Sequence, residues 1–318
     1  MKTAVSVSAG LRERRWKKTM HEIWRDRVLY FLFLPVIAYY IVFRYAPMYG
    51  VVIAFKNFNV YDGIAGSPWV GWANFAQFFK SVYFTRLLKN TLGINLLDIL
   101  IGFPAPIIFA LMLNEIRNVM FKRSIQTISY LPHFISTVVV VGMVVNFLSL
   151  STGIVNNIIE ACGGQRVYFL TEPNYFWGIY TTMNVWKGIG WGAIIYIAAL
   201  AGIDPTLYEA AIIDGAGRWK QTIHVTLPGI STTIVTMFIL KIGHLLEVGY
   251  ESIILMYNPK LYPAADVFST YIYRVGLASS DPNYSLATAI GLFQSLIGLV
   301  LVVIANRLSK KYSEAALW

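Results

Sequence analysis

The chain has 318 residues, is 57% hydrophobic and only 13% charged, and its mean hydropathy is +0.58. Soluble domains carry about 25% charged residues, so an ordinary soluble fold is excluded. A net charge of +10 would suit a nucleic-acid binder, but the excess sits beside apolar segments, so membrane orientation accounts for it and no nucleic acid is expected.

A spanning helix needs about 20 largely apolar residues. Six stretches meet that length: Val28–Pro47, Thr91–Leu113, Ile125–Ser149, Phe176–Ala201, Ile230–Tyr257 and Ser285–Asn306. None alternates with period two, which excludes a β-barrel and predicts an all-α membrane protein. Pro35, Pro104, Pro106 and Pro132 fall inside spans, where neighbouring helices can satisfy the backbone groups they free. The first stretch follows a basic leader, is too long for a signal peptide and has no small-residue cleavage site, so it is expected to stay in place.

Lys and Arg asymmetry sets the orientation. The leader carries Lys2, Arg12, Arg14, Arg15, Lys17, Lys18, Arg25 and Arg27. Arg117, Lys122 and Arg123 follow the second span, Arg218 and Lys220 the fourth, and Arg307, Lys310 and Lys311 the sixth. All four groups fall on one side when six spans are threaded, which places both termini of a multi-pass chain in the cytoplasm. The predicted organisation is a leader over 1–27, a transmembrane domain over 28–306 and a tail over 307–318. The leader, with Trp16, Ile23 and Trp24, reads either as an interfacial helix on membrane lipid or as a plain orientation signal. Three outward loops near Ala54–Asn90, Leu150–Tyr175 and Asn258–Tyr284 are long and rich in aromatics and glycine without an evident helix pattern, as functional loops often are.

The loop over 202–229 is more specific. Asp204 is placed to cap a short helix that starts at Pro205, and Gly215 is a natural C′ residue in the left-handed region. A second short helix follows, and Leu227-Pro228-Gly229 turns the chain into the fifth span. Ala210 and Ala211 leave one face shallow enough for another protein surface to approach.

This segment resembles the EAA loop of ABC-importer membrane subunits. Glu209, Ala210, Ala211, Gly215, Leu227 and Pro228 match the family pattern at its spacing, with Val225 where isoleucine is usual. Phe33-Leu34-Pro35, Trp69-Val70-Gly71 and Tyr130-Leu131-Pro132-His133 look like sugar-importer permeases. Glu251-Ser252-Ile253, Ala265-Asp266-Val267 and Asn306-Arg307-Leu308 look like the LplB-type oligosaccharide branch. The resemblance implies type I permease architecture and an ATPase-coupling set of Glu209, Ala210, Ala211, Asp214, Gly215, Leu227 and Pro228. It also implies partners: a second homologous permease, a cytoplasmic ATPase pair, an extracellular solute-binding lipoprotein and an oligosaccharide. The chain carries no phosphate-binding loop, so ATP hydrolysis is expected in a separate subunit.

Ionisable residues within spans usually face a cavity or a partner. Asp98, Lys187, Lys241, His244, Glu247 and Glu251 qualify. Lys241, His244, Glu247 and Glu251 recur at helical spacing and predict one polar stripe on the fifth span. The stripe reads either as a translocation face or as a seam closed by the neighbouring permease or by a Lys241–Glu247 ion pair. The resemblance to maltose-type importers adds Asn184, Gly188, Trp191 and Lys241 as positions comparable to sugar contacts, so the expected pathway is Asn184, Lys187, Gly188, Trp191, Lys241, His244 and Glu247. Trp186 and Trp191 either stack on sugar rings or merely pack. Lys241 stands where a small hydroxyl is usual, which hints at an anionic oligosaccharide. An ion-coupled secondary transporter is the competing reading, but it leaves the EAA loop unexplained. A membrane enzyme fits worse: no nucleophile–base constellation is visible, His21, His133, His224 and His244 lack ligand spacing, and no metal or cofactor is expected.

Overall fold

The computed structural model describes residues 24–312. Its elements are helical throughout, and β pairing among the described residues is limited to one isolated bridge between Lys56 and Trp69. The leader up to residue 23 and the tail from residue 313 lie outside the described residues, and with them most of the predicted interfacial helix.

Among the described residues, four helices are long and apolar enough to cross a membrane. They are α1 (Arg27–Phe55), α3 (Val82–Glu115), α7 (Pro173–Ala201) and α13 (Tyr284–Tyr312). Between α1 and α3 lies the short α2 (Ala73–Lys80). Two further candidates are bent pairs, which bring the possible spans to six. α4 (Val119–Phe134) and α5 (Thr137–Phe147) meet at 99°, and α9 (Arg218–Gly229) and α10 (Ser231–Gly243) meet at 61°. The connecting helices are α6 (Ile154–Ala161) and α8 (Pro205–Ile213), with α11 (Tyr250–Met256) and α12 (Phe268–Tyr273) after α10.

Two predicted spans are therefore not straight helices. The stretch Ile125–Ser149 breaks because Pro132 draws the end of α4 into a 3-10 turn. Ile135 and Ser136 then adopt extended backbone, and the Ser136 hydroxyl caps α5 by accepting from the Val139 N–H at 3.4 Å. The stretch Ile230–Tyr257 ends its helix at Gly243. Turn-type bonds close over His244–Glu247, with Glu247 N–H donating to the His244 carbonyl at 2.8 Å, and the chain restarts as α11. The predicted stripe from Lys241 to Glu251 thus does not exist as a helix face, and Glu251 lies beyond the break in the first turn of α11. The long loops are also better ordered than expected, since α2, the first turns of α3, α6 and α12 fall within them.

α7 is the axis of the packing. Phe176, Tyr180 and Met183 join Ile94 of α3, Val140 and Val141 of α5 and Val248 and Ile253 around the second break in one buried cluster. Further along, Ala193, Tyr196 and Leu200 pack on Ile107 and Ala110 of α3 and on Ile230. Close packing rather than water expulsion holds such helices together. α1 is the opposite case: from Arg27 to Met48 it buries nothing, and only its last turns reach α13. A helix apolar all round belongs in lipid or against another chain.

A buried ion pair holds the loop after α11. Arg274 donates to both Asp266 carboxylate oxygens, at 2.7 and 3.1 Å, and the Asp266 side chain is inaccessible. Tyr257 and Thr270 hydroxyls donate to Asp266 Oδ1 at 2.7 and 3.1 Å, and the Arg274 guanidinium lies over the Tyr262 and Tyr271 rings. Removing one partner of a buried pair leaves an uncompensated charge. Asp266→Ala is therefore expected to cost about 3–5 kcal/mol, read as a fall in the melting temperature of the detergent-solubilised chain; an unchanged melting temperature would rule out this clamp. At the α4–α7 crossing, a Cβ on Gly190 would overlap the Ser129 carbonyl, whereas one on Gly178 meets open space. Gly190→Ala is expected to destabilise by about 1–3 kcal/mol through overpacking, and Gly178→Ala to have no such effect in the same melt.

Candidate functional site

Two regions carry the residues singled out in the sequence. The first is the α8–α9 segment. Asp204 caps α8: its Oδ1 accepts from the Thr206 N–H at 2.9 Å, which holds its carboxyl below the usual carboxylate range. The cap is therefore fully charged above that range and weakens as pH falls through the lowered value. Pro205 occupies the first helical position, as its fixed φ favours.

The stop is equally defined. Gly215 sits at φ +74°, its N–H donates to the Ile212 carbonyl at 3.0 Å, and the Ala216 N–H reaches back to the Ala211 carbonyl at 2.9 Å. That pair of bonds is a Schellman motif, and it requires the left-handed conformation glycine adopts without strain. Gln221 Nε2 then donates to the Ala216 carbonyl at 2.7 Å, fixing the start of α9 relative to the end of α8.

One side of α8 faces the chain: the Tyr208 hydroxyl bonds Thr226 Oγ1 at 3.0 Å, and Ala211 is half-buried one turn on. The other side is bare. Glu209 is exposed and has no ion-pair partner among the described residues, Ala210 and Asp214 are exposed, and Ile213 is 86% accessible. Trp219 on α9 is exposed beside them. Leu227 is half-buried and Pro228 exposed in the turn that leads through the 61° bend into α10. Arg218 pairs with Glu115 at 2.8 Å, so the segment is also anchored to the last residue of α3.

The second region is a cavity of about 290 Å³ between α3, α7 and the break after α10. Asn184, Lys241, His244 and Glu247 all line it, although they do not share a helix. The break itself gathers them, because the turn after Gly243 folds His244 and Glu247 back beside Lys241. Their partners differ from expectation. Lys241 pairs with Asp98, not Glu247, and Glu247 accepts from His244 Nδ1 at 2.8 Å.

Asp98 opens a π-turn that runs to Gly102, and a side chain at Gly102 would collide with the Asp98 carboxylate. The bulge and the glycine together give the carboxylate room to reach α10. Asn95 and Tyr180 complete the polar wall, and the Tyr180 hydroxyl accepts from the Gly249 N–H at 3.1 Å, satisfying a backbone donor that the broken helix frees.

Lys187, Gly188 and Trp191 are not part of this cavity. They follow Asn184 on the same face of α7, one and two turns on. Lys187 Nζ donates to Thr137 Oγ1 at 3.0 Å, at the start of α5. Trp191 stacks on His133, with ring centroids 4.5 Å apart and planes 1° from parallel, and Phe134 meets it edge-on. Gly188 leaves open space on that face. Sequence reasoning missed His133 as a wall residue and Asp98 as the partner of Lys241. Asp98 stood out as an ionisable residue within a span, but a contact spanning 143 positions leaves no local trace.

Comparison with known proteins gives these features a common setting. Residues 102–314 match the family model described as binding-protein-dependent transport system inner membrane component. The chain is 43% identical to Protein LplB of Bacillus subtilis over 299 residues, 94% of this chain and 93% of that one. It is 42% identical to the polygalacturonan/rhamnogalacturonan transport system permease protein YteP of the same organism, covering 99% and 97%. Two solved structures are similar over nearly their whole length. One is a bacterial ABC transporter involved in the import of the acidic polysaccharide alginate, with TM-score 0.85, 46% identity and coverage of 92% of this chain and 99% of that one. The other is a bacterial alginate ABC transporter in complex with an alginate pentasaccharide-bound periplasmic protein, with TM-score 0.86, 45% identity and coverage of 93% and 99%. The chain belongs to the binding-protein-dependent transport system inner membrane component family and is a sugar ABC importer permease subunit, not an enzyme.

Proposed function

We propose that the chain forms half of the translocation pathway for an oligosaccharide delivered by an extracellular solute-binding lipoprotein, and that it couples this pathway to a separate cytoplasmic ATPase pair through α8. A second, homologous permease supplies the other half. In this reading the chain crosses the inner membrane six times with both termini in the cytoplasm, each bent pair counting as one span.

The observation that carries the coupling role is the bare face of α8. A short helix with a capped start, a glycine stop and an exposed Glu209, Ala210 and Ile213 is built to enter a cleft on another protein. Its inner face is tied to α9 by Tyr208 and Thr226, and α9 continues into α10, which bears Lys241 at the cavity. ATPase closure that drew α8 inward would then be felt at the pathway as a bias between two states. An ion-coupled secondary transporter would need carboxylates free to bind the coupling ion in mid-membrane. Asp98 already holds Lys241 and Glu247 already accepts a hydrogen bond from His244, which favours the importer.

Glu209→Ala and Gly215→Pro test the coupling. Proline cannot adopt the φ of +74° found at Gly215, so the stop of α8 is lost. Import by the complex in proteoliposomes is expected to fall by about 5- to 150-fold, the range of ordinary coupling energies, while the chain still inserts. Unchanged transport together with unchanged ATPase association in both variants would sink the assignment. Pull-down of the tagged chain from native membranes is expected to recover a second permease, an ATPase and a solute-binding lipoprotein. The chain alone, under conditions that preserve such complexes, would support the secondary transporter instead.

A further inference from the structure

The charges along the candidate pathway fall into two kinds. Lys241 is compensated by Asp98, and Glu247 accepts a hydrogen bond from His244, so the 290 Å³ cavity presents one ion pair and hydrogen-bonding groups rather than an unpaired lysine. Lys187 is different. It is the fifteenth of the 29 residues of α7, about 21 Å from either end of the helix. Among the described residues it pairs with no carboxylate, and its ammonium rests on the Thr137 hydroxyl alone. A lysine at the middle of an apolar spanning helix is costly, and residues kept there without a counter-ion mark a pathway for charge.

Its surroundings fit a sugar. One turn along, Trp191 has one ring face covered by His133 and 46% of its surface open. On the other side Asn184 leads to the cavity, and Gly188 between them leaves the wall open. Pockets that orient a ligand combine such aromatic surface with a few placed polar groups.

We propose that Lys187 is the carboxylate-reading residue of the pathway, and that with Trp191 it forms a subsite for the acidic sugar units of a uronate oligosaccharide. The inference rests on the chain being an oligosaccharide permease and names the substrate class. It places the charge-reading role at Lys187, while Lys241, already neutralised by Asp98, serves the wall. The ammonium takes the carboxylate through charge-assisted hydrogen bonds, and the indole takes the apolar face of the ring.

The test uses the complete transporter with its partner subunits in proteoliposomes, with trigalacturonate, alginate trisaccharide and maltotriose as probes. Wild type is expected to import at least one of the two acidic probes. Lys187→Gln is expected to lower that import by about tenfold or more, the worth of one hydrogen bond to a charged group, with sugar-independent ATPase activity unchanged. Lys187→Arg and Thr137→Val, which keep the cation, are expected to retain most of it. Retained acidic import in Lys187→Gln, or a loss there equalled by Thr137→Val, would overturn the subsite, the latter by showing a structural strap. Import of maltotriose but neither acidic probe would overturn the substrate class and leave the importer reading standing. Import of none of the three would count against both.

Discussion

Lipid offers no hydrogen-bond partners, so a spanning helix can break only where protein or water takes over its freed backbone groups. This chain breaks two of its predicted spans, and both breaks lie against the same unbroken helix. α7 supplies Tyr180, whose hydroxyl receives the Gly249 N–H at the break after α10. It also supplies Lys187 and Trp191, which meet Thr137 and His133 at the break between α4 and α5. The candidate pathway residues collect around α7 for this reason. Broken backbone, polar side chains and open volume need one another in a bilayer, and a continuous pillar is what lets them coexist.

The α8–α9 segment was legible because its signals are local. A capping aspartate, a proline at the first helical position and a glycine at the stop each act within a turn, and the structure places all three where the sequence does. Four spans were legible for the same reason, since apolar length is a property of one segment. The stripe over Lys241, His244, Glu247 and Glu251 misled because its spacing fits a helix that the chain does not form. Gly243 and Gly249 bracket the break, yet either glycine alone is tolerated in a spanning helix. Tertiary contacts hold the break in place: Gly243 lies so close to Val302 of α13 that no side chain fits there, and Gln294 of the same helix donates to the Leu246 carbonyl at 2.6 Å. The residues still converge, by a turn rather than by a helix face.

Partnerships were the least legible feature. Lys241 finds Asp98 through the arrangement of whole helices, and no rule of spacing reports it, whereas Asp266 finds Arg274 across the single short helix α12. Yet partnership decides what a charge within a span can do. A paired lysine contributes a dipole to the wall, whereas an unpaired one offers a whole charge to whatever passes. The two lysines of the candidate pathway, alike in sequence, separate on this ground.

The two ends of the functional architecture are joined by the same elements. α3 ends at Glu115, bound to Arg218 at the start of α9, and carries Asp98 about 25 Å away, bound to Lys241 near the end of α10. α9 and α10 are one chain with a bend, so α3 and the α9–α10 pair are tied at both ends into a closed frame. The outer tie is an exposed ion pair, worth at most about 1 kcal/mol. The inner tie is about a third exposed or less, and so lies further from solvent than the outer one. A frame tied at both ends passes a displacement of its outer end on to its inner one. In the proposed cycle, displacement of α8 would therefore reach the pathway as a change in where the cavity wall faces, with the Asp98–Lys241 contact carried along intact.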